Sequence, residues 1–250
     1  MSQQGKYIYG VIEEPQPRKF NFPGIGEAEV YIINCQRLAA IVSDTELQEI
    51  DPTRKNVLAH TTVQDKLLKE YDFLPMGFGI IANSEDEVRS LLVKNYDSLI
   101  RELKRLAGKI EVELKVFWDQ EAITQQLQDG NREFARLKAK ISSTSSPLEV
   151  QNLLVEAGEL VERVAMSWKT KYAESAYNHL KKLSFDARMN NPVGVKNILN
   201  ASFLIDKSKE SEFQKEIYKL DSEYQGKVNF KYVGPLAPYN FVKLKLEPVK

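Results

Sequence analysis

The passage from Ser84 to Trp118 constrains the fold more than any other part of the chain. Ser84 followed by Glu87 has the spacing of a capping box, and Val88, Leu91, Leu92, Tyr96, Leu99, Leu103 and Leu106 then recur at helical intervals. Gly108 ends that helix. Ile110, Val112, Leu114, Val116 and Trp118 follow at once, alternating with Glu111, Glu113, Lys115 and Phe117. A strand with one apolar face predicts an antiparallel sheet covered by helices on one side, because a parallel sheet buried on both faces reads as an unbroken apolar run.

The residues upstream supply companions for that strand. Tyr7 to Ile12 predicts a first strand, and Val30–Asn34 with Leu38–Ser43 predicts a hairpin around Asn34-Cys35-Gln36-Arg37. Pro15, Pro17, Pro23, Gly24 and Gly26 mark the intervening stretch as a loop. Asp51-Pro52 predicts a helix start, with the helix running to about Tyr71, and Phe73 to Ile81 reads as a strand containing glycine. Residues 1–119 are therefore expected to form a modified ferredoxin-like α+β sandwich.

Asp119 is placed to cap a helical connector over 120–145, broken at Asp129-Gly130 and ended by Ser142-Ser143-Thr144-Ser145. Ser146-Pro147-Leu148-Glu149 then opens a long helix striped by Val150, Leu153, Leu154, Ala157, Leu160, Val161, Val164, Trp168 and Tyr172. It is expected to reach Leu183 and to be closed off by Asn190-Asn191-Pro192. A strand on Leu199, Ala201, Phe203 and Ile205 follows. A helix on Phe213, Ile217, Leu220 and Tyr224 comes next, then strands on Val228, Phe230 and Tyr232 and on Val242, Leu244 and Leu246. Residues 146–250 thus read as a second, smaller α+β domain with a long helix, giving a two-domain α+β protein.

Bulk properties exclude several function classes. Lys+Arg 35 balances Asp+Glu 35 and the pI is about 6.8, so no long-range field draws the chain to nucleic acid or an anionic membrane. No apolar stretch is long enough to cross a bilayer. Cys35 is the only cysteine, which rules out an intrachain disulfide, and Met1–Lys6 has no apolar signal core, so assembly in the cytoplasm is expected.

No catalytic constellation emerges. His60 and His179, the only histidines, belong to no metal-binding spacing, and no metal or cofactor is expected. Cys35 with His60 as nucleophile and base is a distant third reading. Gly77-Phe78-Gly79-Ile80-Ile81-Ala82 matches GxGxxA, but the apolar run continues past the glycines, so they read as close packing inside a strand. Glu111 and Glu113 point to one side of their strand, and solvent is the ordinary reading for that side. Asn200-Ala201-Ser202 fits a glycosylation sequon inside a predicted strand, where it carries no meaning.

The most distinctive stretch is GPLAPYNFV, Gly234 to Val242. Gly234 is free to take positive φ, Pro235 and Pro238 fix theirs, and Tyr232, Tyr239 and Phe241 flank the bend. Such a corner is a stiff turn with its aromatics in the core, a ligand loop, or a family signature. Lys231 to Val242 (KYVGPLAPYNFV) resembles the C-terminal signature of the gas vesicle protein F/L family. The resemblance extends in order to YIYGVI (Tyr7–Ile12), LAH (Leu58–His60), LPMGFGII (Leu74–Ile81) and NILNASFLI (Asn197–Ile205). Leu236-Ala237 stands where that signature commonly carries Trp-Pro.

The resemblance implies a non-enzymatic accessory or minor structural protein needed to form or nucleate gas vesicles, in contact with the major shell protein and with other accessory proteins. It also implies a place at the gas-facing surface. Tyr232, Gly234, Pro235, Pro238, Tyr239 and Phe241 are the candidate interaction residues. The mean hydropathy of −0.40 requires any gas-facing surface to be a selected apolar patch, offered by the long helix or by the aromatic corner. The rival reading is a small-molecule-binding or regulatory α+β protein with its ligand between the domains.

Overall fold

The computed structural model describes residues 4–224 and 226–247. The chain divides into two compact units interleaved in sequence. One runs to Glu111 and regains Asp206–Ser208 and the segment from Pro235 onward; the other comprises Val112–Ile205 and Lys209–Gly234.

The first unit is built on β1 (Gly5–Glu13), β2 (Lys19–Pro23), β3 (Glu29–Cys35) and β4 (Leu38–Thr45), with two-residue strands β5 (Leu74–Pro75) and β6 (Ile81–Ala82). The sheet order is β2-β3-β4-β1-β5, and β6 also pairs with β1. The hairpin between β3 and β4 closes with Cys35 opposite Leu38, and Gln36 takes the positive φ of the tight turn. Where Pro15 to Gly26 predicted a loop, β2 forms: it is an edge strand, and Pro23, which cannot donate to a ladder, sits at its end. The expected strand over 73–81 is instead two short pieces. Gly77 and Gly79 have open space where a side chain would be, and Gly79 turns the chain at φ +87, so a turn rather than close packing explains the glycines.

Gly10 is the glycine that close packing does demand. A Cβ there would lie 2.3 Å from the Phe73 ring and 2.6 Å from the Leu74 carbonyl, beside the register shift between Ile8 and Gly10. Tyr7, Tyr9, Ile12 and Ile41 pack with Val63 and Leu67 of α1 (Arg54–Glu70). The alternate residues Ile8, Val11, Ala40 and Val42 are also buried, and α2 (Glu85–Lys94) meets β1, β3 and β4 while α3 (Tyr96–Leu106) meets β1 and β5. The centre of this sheet is thus buried on both faces, whereas the alternation at 110–118 predicted one.

The reason is that β7 (Lys109–Trp118) pairs elsewhere. It lies in a four-stranded sheet of order β10-β7-β9-β8, with β8 at Asp186–Asn190, β9 at Asn197–Asp206 and β10 at Val228–Leu236. Its half-covered pattern describes that sheet. The helical run ends at Lys181, and β8 follows in a stretch for which no strand was predicted; DARMN has no alternation because it is a mostly uncovered edge. The expected strand on Val242, Leu244 and Leu246 is extended chain without a ladder.

Helix starts follow local chemistry closely. The Ser84 and Asp119 side chains accept from the N–H groups of Glu87 (3.1 Å) and Ala122 (2.9 Å). Glu87 closes its box one residue early, accepting from the Asn83 N–H. Thr53 rather than Asp51 caps α1, accepting from the Asn56 N–H. In the second unit α4 (Gln120–Gly130) and α5 (Arg132–Ser143) pack with α6 (Pro147–Trp168). A π-helical stretch, Lys169–Glu174, leads on into α7 (Ser175–Lys181), and α8 (Glu210–Glu223) precedes β10.

Candidate functional site

The candidate interaction residues divide between the two units. Tyr232 and Gly234 lie in β10, inside the strand rather than at a bend. The Tyr232 hydroxyl donates to the Glu210 carboxylate at 3.2 Å, and burial together with that neighbouring charge raises its pKa. Gly234 does not adopt positive φ. A Cβ there would stand 3.0 Å from Val112 Cγ1, so space, not backbone freedom, explains this glycine. Pro235 is exposed, and β10 is a sheet edge, where a missing N–H costs no ladder bond.

The chain turns after β10. Ala237 enters the apolar cluster of the first unit, Pro238 is buried, and Tyr239–Phe241 form one 3-10 turn closed by the Phe241 N–H on the Pro238 carbonyl at 3.1 Å. Phe241 is 2% exposed and Tyr239 39%. The Tyr239 hydroxyl meets His60 Nε2 at 3.1 Å, and His60 Nδ1 meets the Tyr7 hydroxyl at 2.9 Å, which also accepts from the Gly79 N–H at 3.0 Å. The His60 ring stacks on Tyr9, whose hydroxyl contacts Ser43 and accepts from Ile25.

Burial drives His60 down to about 4, against an opposing backbone hydrogen bond at Met76, so the imidazole is neutral at pH 7 and offers one donor and one acceptor. Burial likewise pushes Tyr7 up to about 12. Both imidazole nitrogens are occupied by tyrosines. No nitrogen is left to activate the half-buried Cys35 thiol.

Beyond Phe241 the extended segment is held by side chains that read its backbone. Glu111, expected to face solvent, is 1% exposed and accepts from the Asn240 N–H at 2.9 Å and from the Asn240 amide. Glu102 accepts from the Lys243 N–H at 2.6 Å while Arg105 grips the same carboxylate at 2.9 and 2.8 Å and donates to the Phe241 carbonyl. The Arg105 bond holds the Glu102 carboxyl below its usual range, burial opposing. Asn95 donates to the Glu247 carbonyl and accepts from the Glu247 N–H at 2.9 Å. This arrangement can hold a chain segment in place. Among the described residues no group of three or more His, Cys, Asp or Glu is positioned to hold a metal ion.

Sequence reasoning did not single out Asn95, Glu102 or Arg105. A signal existed for Glu102, which falls at the i+3 position of the Leu99, Leu103 and Leu106 stripe and is therefore placed to be buried.

Comparison with known proteins gives this geometry a family. The family model described as gas vesicle synthesis protein GvpL/GvpF matches residues 5–243. Gas vesicle protein F of Nostoc sp. is 25% identical over 96% of this chain and 98% of its own length. The Streptomyces sp. protein F is 28% identical over 95% and 99%, and gas vesicle protein L of the same strain is 27% identical over 81% and 74%. Crystal structures of GvpF from Anabaena sp. PCC7120 (TM-score 0.78, 24% identity, 97% of this chain and 99% of that one) and Microcystis aeruginosa (0.74, 22%, 96% and 99%) share the fold. The chain belongs to the gas vesicle synthesis protein GvpL/GvpF family. This is a gas vesicle family and not a known enzyme family, and no helix among the described residues is long and apolar enough to cross a membrane.

Proposed function

We propose that this chain is a non-enzymatic accessory or minor structural protein of gas vesicles, required for shell formation or nucleation, assembled in the cytoplasm and bound to the major shell protein at the gas-facing surface. The observation that carries the reading is the family match from residue 5 to residue 243, with relatives named gas vesicle protein F aligned over almost their whole length. Contacts with other gas vesicle accessory proteins belong to the same reading.

The contact needs an apolar surface on a chain of average polarity, and the first half of α6 supplies one. Leu148 and Val155, two turns apart, share one side of the helix and are 70% and 59% exposed, with Leu154 beside them. Pro235 and Tyr239 are exposed residues of the C-terminal corner, and we assign them a contact of their own, separate from that of α6. The test is deletion in a vesicle-forming host, followed by complementation and flotation. Stalled or absent shells, with the complementing chain recovered in the buoyant fraction, support the proposal; normal vesicles without the chain contradict it.

A further inference from the structure

The second half of α6 borders a groove of about 580 Å³ within the second unit, lined by Trp118, Val161, Ala165, Met166, Val195 and Ile198. Its floor and rim are incomplete in two ways. Asn197 is 8% exposed, and its side-chain oxygen is buried without a hydrogen-bond partner, so an occupant that brings a donor would satisfy it. Val195, pinned through its carbonyl to the Trp118 indole N–H at 3.0 Å, is nonetheless 91% exposed.

The groove also carries two charges, Glu162 and Lys169, two helical turns apart, and neither has an ion-pair partner among the described residues. Between them lies Ala165, 8% exposed, whose small side chain leaves the groove open above it.

We infer that this groove is a self-association surface whose occupant is α6 of a second copy of this chain together with Lys169 just beyond its end, laid antiparallel. The charge pattern selects that occupant. A two-fold axis passing at Ala165–Met166 places Glu162 and Lys169 at equal distances on either side, each roughly 5 Å along the helix. Glu162 of each copy then faces Lys169 of the other, and the contact closes on itself as an isologous pair. The ammonium entering the groove brings donors toward the Asn197 oxygen, and the second copy covers Met166 and Val195. Gly158, lining the same groove with open space where a side chain would be, admits the partner's backbone further along. This surface lies C-terminal to Leu148, Leu154 and Val155, so self-association and shell contact are separable.

Sedimentation equilibrium of the full chain, with circular dichroism to confirm folding, tests the inference. The wild-type mass should rise with concentration toward twice that of the chain. Glu162→Lys and Lys169→Glu should each weaken association about tenfold or more, because like charges then face each other, and the double reversal should restore it. A wild-type chain that stays monomeric at every accessible concentration, a dimer indifferent to the single reversals, or a double reversal as weak as the singles would each overturn it.

Discussion

The C-terminal segment of the first unit and helix α6 of the second treat buried and exposed chemistry in opposite ways. Around residues 237–247 polar side chains are buried and spent on the chain itself: Asn95, Glu102 and Glu111 are each at most 8% exposed and each grips backbone of the segment. Along α6 apolar side chains are exposed and unspent, with Leu148, Leu154, Val155 and Met166 all more than half uncovered. A buried polar clamp stabilises one arrangement because breaking it strands its members, whereas an uncovered apolar face gains only when something else arrives. The first region therefore reads as architecture and the second as contact surface.

The difference can be broken most severely from the architectural side. Ending the chain at Pro238 should leave Glu102 and Glu111 buried without their backbone donors and cost more than about 3 kcal/mol, measured as a fall in the urea midpoint. Loss of less than 1 kcal/mol would mean that the clamp is an ornament of the fold. Gly10→Ala probes the core beneath it: the new methyl collides with the Phe73 ring and the Leu74 carbonyl, and a cost of about 3 kcal/mol is expected by the same measurement.

Acid should act on the first region through His60. Its folded pKa of about 4 lies below the unfolded 6.5, so the unfolded chain binds the extra proton between those values. The stabilisation is complete above pH 6.5 and is lost as pH falls toward 4, by about 3 kcal/mol at most. His60→Gln should flatten the slope of stability against pH in that window, and an unchanged slope would assign the acid sensitivity elsewhere. Glu102, held low by Arg105, contributes only at more acidic pH. The smallest effect on stability is expected on α6, where Leu148→Ser and Val155→Ser, being exposed, should shift unfolding by no more than about 0.5 kcal/mol.

The two regions also differ in how much of them the residues announced. The start and stripe of α6 were plain from Ser146-Pro147 and the apolar spacing, as was the Ser84 cap that opens α2. Local chemistry determines such features within a turn or two of chain. Edge strand β2 alternates around Phe20 and Phe22 but was masked by the prolines and glycines on either side, whereas β8 was hidden because an uncovered edge needs no alternation. The alternation of β7 was correct as a pattern and misleading as to place: period two shows that one face is buried but not which strands lie alongside.

The C-terminal clamp was the least legible feature. Glu102 and Arg105 are separated by well over a hundred residues from the backbone they hold, and Glu111 interrupts an alternation that otherwise predicts solvent on its side. The glycine-proline corner drew attention for its composition. Its conspicuous residues turned out to serve different ends, with Gly234 inside a strand for want of space, Phe241 in the core, and Tyr239 as the hydroxyl that completes the His60 chain.

Flotation of shell protein co-expressed with a chain carrying Leu148→Ser, Leu154→Ser and Val155→Ser tests the central claim most directly, with the melting temperature of the variant recorded alongside. The account predicts that the unaltered chain rises with the buoyant shells and that the folded variant stays behind. A variant that rises undiminished would contradict it.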